Sequence, residues 1–592
     1  MRDPTLAFKS IHVALTLATF LLFALRDRVR AAADASRLMT ADQLMPEAQR
    51  SFLNRWITAA VILTAVFAFR FLSFTGFLND HFVYVARAQQ MLLGAWPVRD
   101  FVDPGFLLMY VASATALVSF GHNLIGEALL VFGGFAAAAA LSYPLARAAA
   151  GSAAIAAVAV ALQALAYPRS YSYPKFLLHA LAIMLCWGYL ARPTSTRRIG
   201  LAGFVAIAFL FRPDHGAVIG LAALCAVAWA DARPGPARAK SVLGFSAVTA
   251  VFLLPWVVFV QSTVGLVAHL RSVREFSGRK VDMGRMGWPA FPIDVSWGPG
   301  LLAELDHQAF LYYLFLLLPV IGAAQQHRRS DAAAPMPHAA GRLWVVTILA
   351  VCVNLTLLRG LNNRLADVAV PQAILAAWLF PAAWRAARGF RLTNRIVLRS
   401  TAMAIAYLLV LSVVRLGSTR ERFGHIPILR PDAVIERAVT VAWALRDIDR
   451  SAGEPRTNPV TLGPFVAYLQ KCTRPDDRVM YAGYAPETYF FARRGFAGGQ
   501  VVVEGGYYSS LEEQRRTLSR LQRERVPVIA LPDEFASDFR DTFGWLADYI
   551  DAYYVRAGSI ELPGRRQGDV FVDRRRAHAD VYEPLGWPCF AA

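Results

Sequence analysis

From residue 57 to residue 414 the chain alternates long apolar runs with short polar loops rich in arginine. The runs fall at 57–74, 124–147, 151–167, 175–190, 198–211, 215–230, 241–264, 309–326, 342–358, 365–383 and 396–414. A helix rises about 1.5 Å per residue, so runs of this length match a hydrocarbon core of about 30 Å. An earlier run, Leu6–Leu25, is interrupted by Lys9 and His12 and precedes an arginine-rich stretch, Arg26 to Arg55. It fits a span, an interfacial helix or a signal segment. The run 105–120 fits either a crossing or a juxtamembrane helix.

Beyond residue 415 the pattern changes. Helical periodicity in Phe465–Gln470 precedes strand-like stretches at Arg478–Ala482, Pro486–Ala492 and Gln500–Val503. A charged helix across Ser510–Glu524, a buried strand at Val526–Leu531, a helix at Asp538–Tyr549 and a strand at Gly568–Val572 follow. Such alternation predicts a small α/β domain. The expected fold is therefore an α-helical polytopic membrane protein of about 11–12 transmembrane helices with a C-terminal α/β soluble domain. Its parts are an N-terminal helix and cytoplasmic segment (1–56), a transmembrane domain (57–414) with outer loops 75–123 and 265–308, and the tail (415–592).

Composition agrees: 56% of residues are hydrophobic and only 17% charged. A net charge of +19 would suggest nucleic acid in a soluble protein, but here the arginines sit in the loops between spans, so no nucleic-acid partner is expected. Their distribution decides the topology. If 105–120 does not cross, loops 26–56, 144–150, 191–199, 231–240, 327–342 and 384–395 share one side, with 20 Lys/Arg in about 85 residues. The opposite loops carry 12 in about 111. A crossing would move 14 of the 20 to the wrong side. The positive-inside rule thus makes 105–120 a juxtamembrane helix and puts the tail on the non-cytoplasmic side.

Cys186, Cys225 and Cys352 lie in apolar runs, while Cys472 and Cys589 are the only two in the tail and are candidates for a disulfide there. No CxxC or Cys/His cluster supplies zinc ligands.

Candidate chemistry concentrates in the first outer loop, Asn79-Asp80-His81-Phe82-Val83-Tyr84 onward, then Gly94-Ala95-Trp96-Pro97-Val98-Arg99-Asp100 and Asp103-Pro104-Gly105. On a helix from 80 to 93, Asp80, Tyr84 and Arg87 share one face. Asp80 alone reads equally as a helix N-cap, and Asp100 and Asp103 as solvated turn residues. Taken together, the acid after the first core span, the Ala86-Arg87 pair, the Gly-x-x-Pro-x-Arg-Asp turn, Pro104-Gly105 and Arg212-Pro213-Asp214-His215-Gly216 resemble the GT-C-fold membrane glycosyltransferases. The likeness is to the bacterial protein O-mannosyltransferase and aminoarabinose transferase family, and it covers roughly 57–414. It implies a polyprenyl-phosphate-linked sugar donor, a glycan, lipid or protein acceptor, membrane lipids around the spans and a bacterial inner-membrane location with the tail in the periplasm. Asn79-Asp80 stands where many members have paired acids, which leaves a divalent metal or a second carboxylate open.

Sugar transfer from a lipid phosphate needs a base at the acceptor hydroxyl, and Asp80 is the candidate. The leaving phosphate needs cations or aimed donors. Arg212, His215, Lys175, Arg271 and Arg274 are the candidates, with His81, Tyr84, Arg99, Asp100, Asp103, Asp214 and Arg364 expected around the substrates. For Arg212 a structural pair with Asp214 or Asp80 is the alternative; for Arg271 and Arg274 it is a headgroup contact. Arg169 and Lys175, among Tyr167, Tyr171 and Tyr173, read as an aromatic belt or as sugar-stacking groups. Trp288 and Trp297 share that ambiguity, and Arg359, Asn362, Asn363 and Arg364 form a compact polar outer turn that either touches the donor or ends two helices. Two other readings are a polysaccharide polymerase and a transporter or flippase, the latter disfavoured by the absence of two matching halves.

Overall fold

The computed structural model describes residues 44–231, 236–282, 306–327, 339–355, 365–428, 430–447, 463–505, 507–562, 566–578 and 580–590. Arg285, Trp288, Trp297, Arg359, Asn362, Asn363 and Arg364, with the run 6–25, lie outside these residues.

The helical part runs α1 (Leu44–Leu72), α2 (Asn79–Leu92), α3 (Leu107–Phe120), α4 (Ile125–Ala150), α5 (Ala153–Leu165), α6 (Tyr173–Ala191), α7 (Ser195–Phe211), α8 (Pro213–Ala230), α9 (Pro236–Thr263), α10 (Leu266–Asp282), α11 (His307–His327), α12 (Ala339–Leu355), α13 (Ala369–Ala386) and α14 (Leu392–Leu416). Seven helical segments among the described residues are long and apolar enough to cross a membrane: those of α4, α6, α8, α9, α11, α13 and α14. Shorter apolar helices at Trp56–Leu72, Leu107–Phe120, Ala153–Leu165 and Ala339–Asn354 join them. The chain is a multi-pass membrane protein.

Helix α4 is the hub, packing on α1, α3, α5, α6 and α13. Its buried Gly134, Ala136, Ala138, Ala139 and Ala140 let those neighbours approach closely, which is how helices associate where water supplies no driving force. Two glycines are fixed by contact. A Cβ on Gly216 would stand 2.2 Å from the Phe209 backbone, and one on Gly417 would stand 1.9 Å from the Leu165 carbonyl oxygen. Either substitution would push two helix ends apart at the end of the bundle where the polar loops gather.

Helix α3 has 14 residues, about 21 Å of rise, short of a hydrocarbon core. Gly105 at its start packs on Pro213, and the Leu124 amide just beyond its end donates to Leu445.

The tail begins with α15 (Thr419–Gly424) and α16 (Pro431–Arg446), followed by α17 (Gly463–Cys472), α18 (Glu487–Ala492), α19 (Leu511–Glu524), α20 (Asp533–Thr542) and α21 (Gly544–Tyr553). Its strands are β1 (Arg478–Tyr481), β2 (Gly495–Phe496), β3 (Val528–Pro532), β4 (Tyr554–Leu562), β5 (Arg566–Asp573), β6 (Asp580–Tyr582) and β7 (Trp587–Cys589). The main sheet has the order β2-β1-β3-β5-β4; β1 is parallel to β2 and β3, and β5 is antiparallel to β3 and β4. Cys472 and Cys589 are joined by a disulfide that ties α17 to β7.

Several expectations for the tail are corrected. Residues 487–492 are helical, and Gln500–Val503 forms no strand. Two helices broken at Phe543 replace the single one expected at 538–549. Strand β4 was missed because most of its middle residues are exposed or half-buried, without clean alternation.

The tail grips the bundle through α2. Gln89 Nε2 donates to the carbonyls of Tyr489 and Arg494 at 3.0 and 2.8 Å. Gln90 donates to the Phe496 carbonyl and accepts from its amide, at 3.2 and 3.0 Å, so one side chain satisfies the free edge of β2. Phe82 inserts against Phe490 and Phe491.

Candidate active site

Helix α2 begins with extended backbone at Leu78 and no side-chain cap bond. Asp80, in its first turn, is therefore free of the N-cap role that the sequence allowed. Its carboxylate instead joins three parts of the molecule. Arg169 Nη1 lies 2.7 Å from Oδ2, and the Tyr484 hydroxyl donates to Oδ1 at 2.7 Å. The side chains of Asp80 and Arg169 are each 30% exposed, so the pair stays open to an incoming molecule. Burial, and then the Asp80 charge, raise the Tyr484 phenol above its ordinary range, so it remains a proton donor.

The loop that presents Arg169 is held under strain. Tyr167 takes φ +44°, a left-handed conformation costing an L-residue on the order of 1–2 kcal/mol. Arg70, buried between the rings of Phe135 and Tyr167 at 4.0 and 4.1 Å, donates through Nη1 and Nη2 to the Pro168 carbonyl at 3.1 and 3.2 Å. Arg422 also lies over the Tyr167 ring at 4.3 Å, and the Tyr167 hydroxyl meets Ser73 Oγ at 3.1 Å. Such over-determination fixes the direction in which Arg169 leaves the chain.

A second polar cluster lies deeper. Lys175 and Asp367 form a buried ion pair, their side chains 3% and 8% exposed. His179 Nε2 meets His215 Nδ1 at 3.0 Å. Arg212 grips Asp214 through Nε and Nη2 at 3.3 and 3.1 Å and lies over the Phe106 ring. Asp214 also accepts from the His215 amide at 2.9 Å, at the start of α8. Tyr84, buried, stands between the two clusters, its ring 6.0 Å from Tyr171 and 5.9 Å from Phe106. Arg169 also donates to the Tyr171 hydroxyl at 3.2 Å.

The structure thus brings Asp80, Tyr84, Lys175, Arg212, Asp214 and His215 to one end of the bundle. It corrects others. His81 is buried, stacked on Phe77 and bonded to Glu127 Oε2 at 3.1 Å, so it holds α2 to α4. Asp103 is not solvated: its buried Oδ1 accepts from the amides of Gly105 and Phe106 and from the Tyr110 hydroxyl, closing the turn that precedes α3. Arg87 also donates to Tyr110. Arg99 and Asp100 pair with each other, and Asp100 accepts from the Trp96 amide, which closes the turn. Arg271 and Arg274 are exposed on α10, whose Phe276 stacks on Tyr508 of the tail. Asp367, His179 and Tyr484 were missed. Nothing local marks them; they are 192, 36 and 404 residues from Lys175, His215 and Asp80. Among the described residues no group of three or more His, Cys, Asp or Glu side chains is placed to hold a metal ion.

Beside this polar end lies an apolar groove of about 370 Å³ between α5, α11, α13 and α14. Its lining includes Ala166, Leu365 and Ala366, the chain neighbours of Tyr167 and Asp367. One end of the groove's lining is thus adjacent in the chain to the loop that carries Arg169 and to the carboxylate that holds Lys175.

No family model matches the chain, and no curated protein matches it. Among solved structures it is similar to the crystal structure of ArnT from Cupriavidus metallidurans bound to undecaprenyl phosphate. The likeness covers 88% of this chain and 99% of that one, at 12% identity and a TM-score of 0.47.

Proposed function

We propose that this chain is a membrane glycosyltransferase that takes a sugar from a polyprenyl phosphate and passes it to a glycan, lipid or protein acceptor at the periplasmic face of a bacterial inner membrane. The observation that carries this reading is the junction of the apolar groove with the polar end of the bundle. A long apolar tail with an anionic head matches that pairing: the groove takes the tail, and Arg169, Lys175 and Arg212 supply positive charge at its mouth. The site faces the periplasm because the loops at this end are those poor in Lys and Arg. Helix α3, with its ends near Pro213 and Leu445, lies along the membrane in this topology without crossing it.

In the reaction the acceptor hydroxyl gives its proton to Asp80 as its oxygen bonds to the sugar, and the bond from sugar to phosphate breaks with the electron pair leaving on phosphate. Asp80 accepts from Arg169 on one oxygen and from Tyr484 on the other, and an ionised carboxylate is acceptor-only, the form that can take a proton. Tyr484 and Arg169 hold that carboxylate in place, and burial of Tyr84 excludes water between the two clusters. Arg212 exchanges part of its grip on Asp214 for the donor phosphate.

Lipid extraction and mass spectrometry of the purified protein test this directly. The reading expects a polyprenyl phosphate or its sugar conjugate with the wild-type protein. It expects that lipid to be lost from Arg212→Ala and partly kept by Arg212→Lys, which retains the charge without the fork. A wild-type preparation carrying only bulk phospholipid would overturn it.

A further inference from the structure

The tail enters its sheet through a segment with an unusual surface. Phe423 of α15, Ile428, and Ile435, Val439 and Trp443 of α16 are 40%, 59%, 67%, 49% and 59% exposed. The last three recur every fourth residue, a single stripe along the helix. The opposite side is fastened to the bundle: Val441 and Leu445 are buried, and Arg437 bonds the carbonyls of Leu72 and Phe74 where α1 ends. The Leu445 carbonyl accepts from the Leu124 amide at the start of α4. Phe423 packs on Phe69, one turn from the end of α1, with ring centroids 5.2 Å apart.

These anchors fix the height of the stripe. Helix α16 straddles the end of α1 and the start of α4, the level at which apolar helices leave the hydrocarbon. A helix with one fastened face and one apolar face at that depth meets the conditions for lying in the plane of the interface. We propose that the stripe Ile435, Val439 and Trp443 is embedded in the boundary between headgroups and acyl chains, and that α16 is the seat on which the bilayer holds the tail domain over Asp80. The occupant is the lipid surface itself.

The test is the depth of a nitroxide at Val439→Cys in the full chain in bilayer nanodiscs. Cys225 and Cys352 are replaced by alanine, while buried Cys186 and the Cys472–Cys589 disulfide stay. Collision with oxygen, which concentrates in acyl chains, is compared with collision with a water-soluble nickel chelate. Reference labels sit at Val251, 67% exposed on α9, and at Ser519 on polar α19. The expected result is an oxygen-to-nickel ratio several-fold above that at Ser519 and close to that at Val251. A ratio equal to that at Ser519 overturns the proposal, and so does a label shielded from both reagents, which would mean that protein covers the stripe. Ile435→Cys gives an independent second reading should the first variant fold poorly.

Discussion

Two carboxylate–cation pairs lie at the same end of the bundle and differ in one property. Asp80 and Arg169 are each 30% exposed, whereas Asp367 and Lys175 are 8% and 3% exposed. An acceptor from water can reach the first pair and cannot reach the second. Half-exposure also makes the first pair weak as a structural tie, since solvent screens it, while the second is costly to leave half-made. The contrast separates an open carboxylate, Asp80, which the proposed function makes the base, from a closed one, Asp367, which holds Lys175.

Removing one member of the buried pair gives the largest expected effect on stability. Lys175→Met strands the Asp367 carboxylate, and such changes cost about 3–5 kcal/mol, which denaturant unfolding in nanodiscs would register. Adding Asp367→Leu to that variant should return most of the loss. By comparison Arg169→Met should cost only about 0–1 kcal/mol, because its partner stays in contact with solvent.

Next in size is a pH effect in the tail. Burial pushes the Glu487 carboxyl from its ordinary 4.5 up to about 7. A raised folded-state pKa contributes stability that is complete below about pH 4.5 and is lost as pH rises through about 7. The chain should therefore become less stable across that window, by on the order of 3 kcal/mol. Glu487→Gln should flatten the slope and stabilise the protein at pH 8. An unchanged slope would mean that Glu487 is ionised and paired.

A modest effect, on turnover, belongs to Tyr484. Tyr484→Phe removes one hydrogen bond to a half-exposed carboxylate, worth roughly 1–1.5 kcal/mol, so transfer should slow about tenfold with donor retention unchanged. A variant as fast as wild type would show that the tail only shields Asp80.

Much of this was legible in the chain. Apolar runs gave the helices, because these follow from local composition and solvation. Asp80 was legible as a carboxylate just beyond a span. Its partners were not. Arg169 sits among Tyr167, Tyr171 and Tyr173, a pattern that reads as an aromatic belt, and only the folded loop shows Arg70 holding Pro168 so that Arg169 turns inward. Tyr484 and Asp367 depend on contacts between distant segments, which periodicity does not encode. Asp103 misled because a solvated turn aspartate and a buried one share the same local sequence.

The most direct test of the account is Asp80→Asn, measured as sugar transfer from the lipid donor that purifies with the protein. Asparagine keeps the shape and one acceptor oxygen but takes no proton. The account predicts a fall of about 10²–10⁴ in turnover, with donor retention and unfolding close to wild type. Transfer at the wild-type rate would contradict it and remove Asp80 from the chemistry.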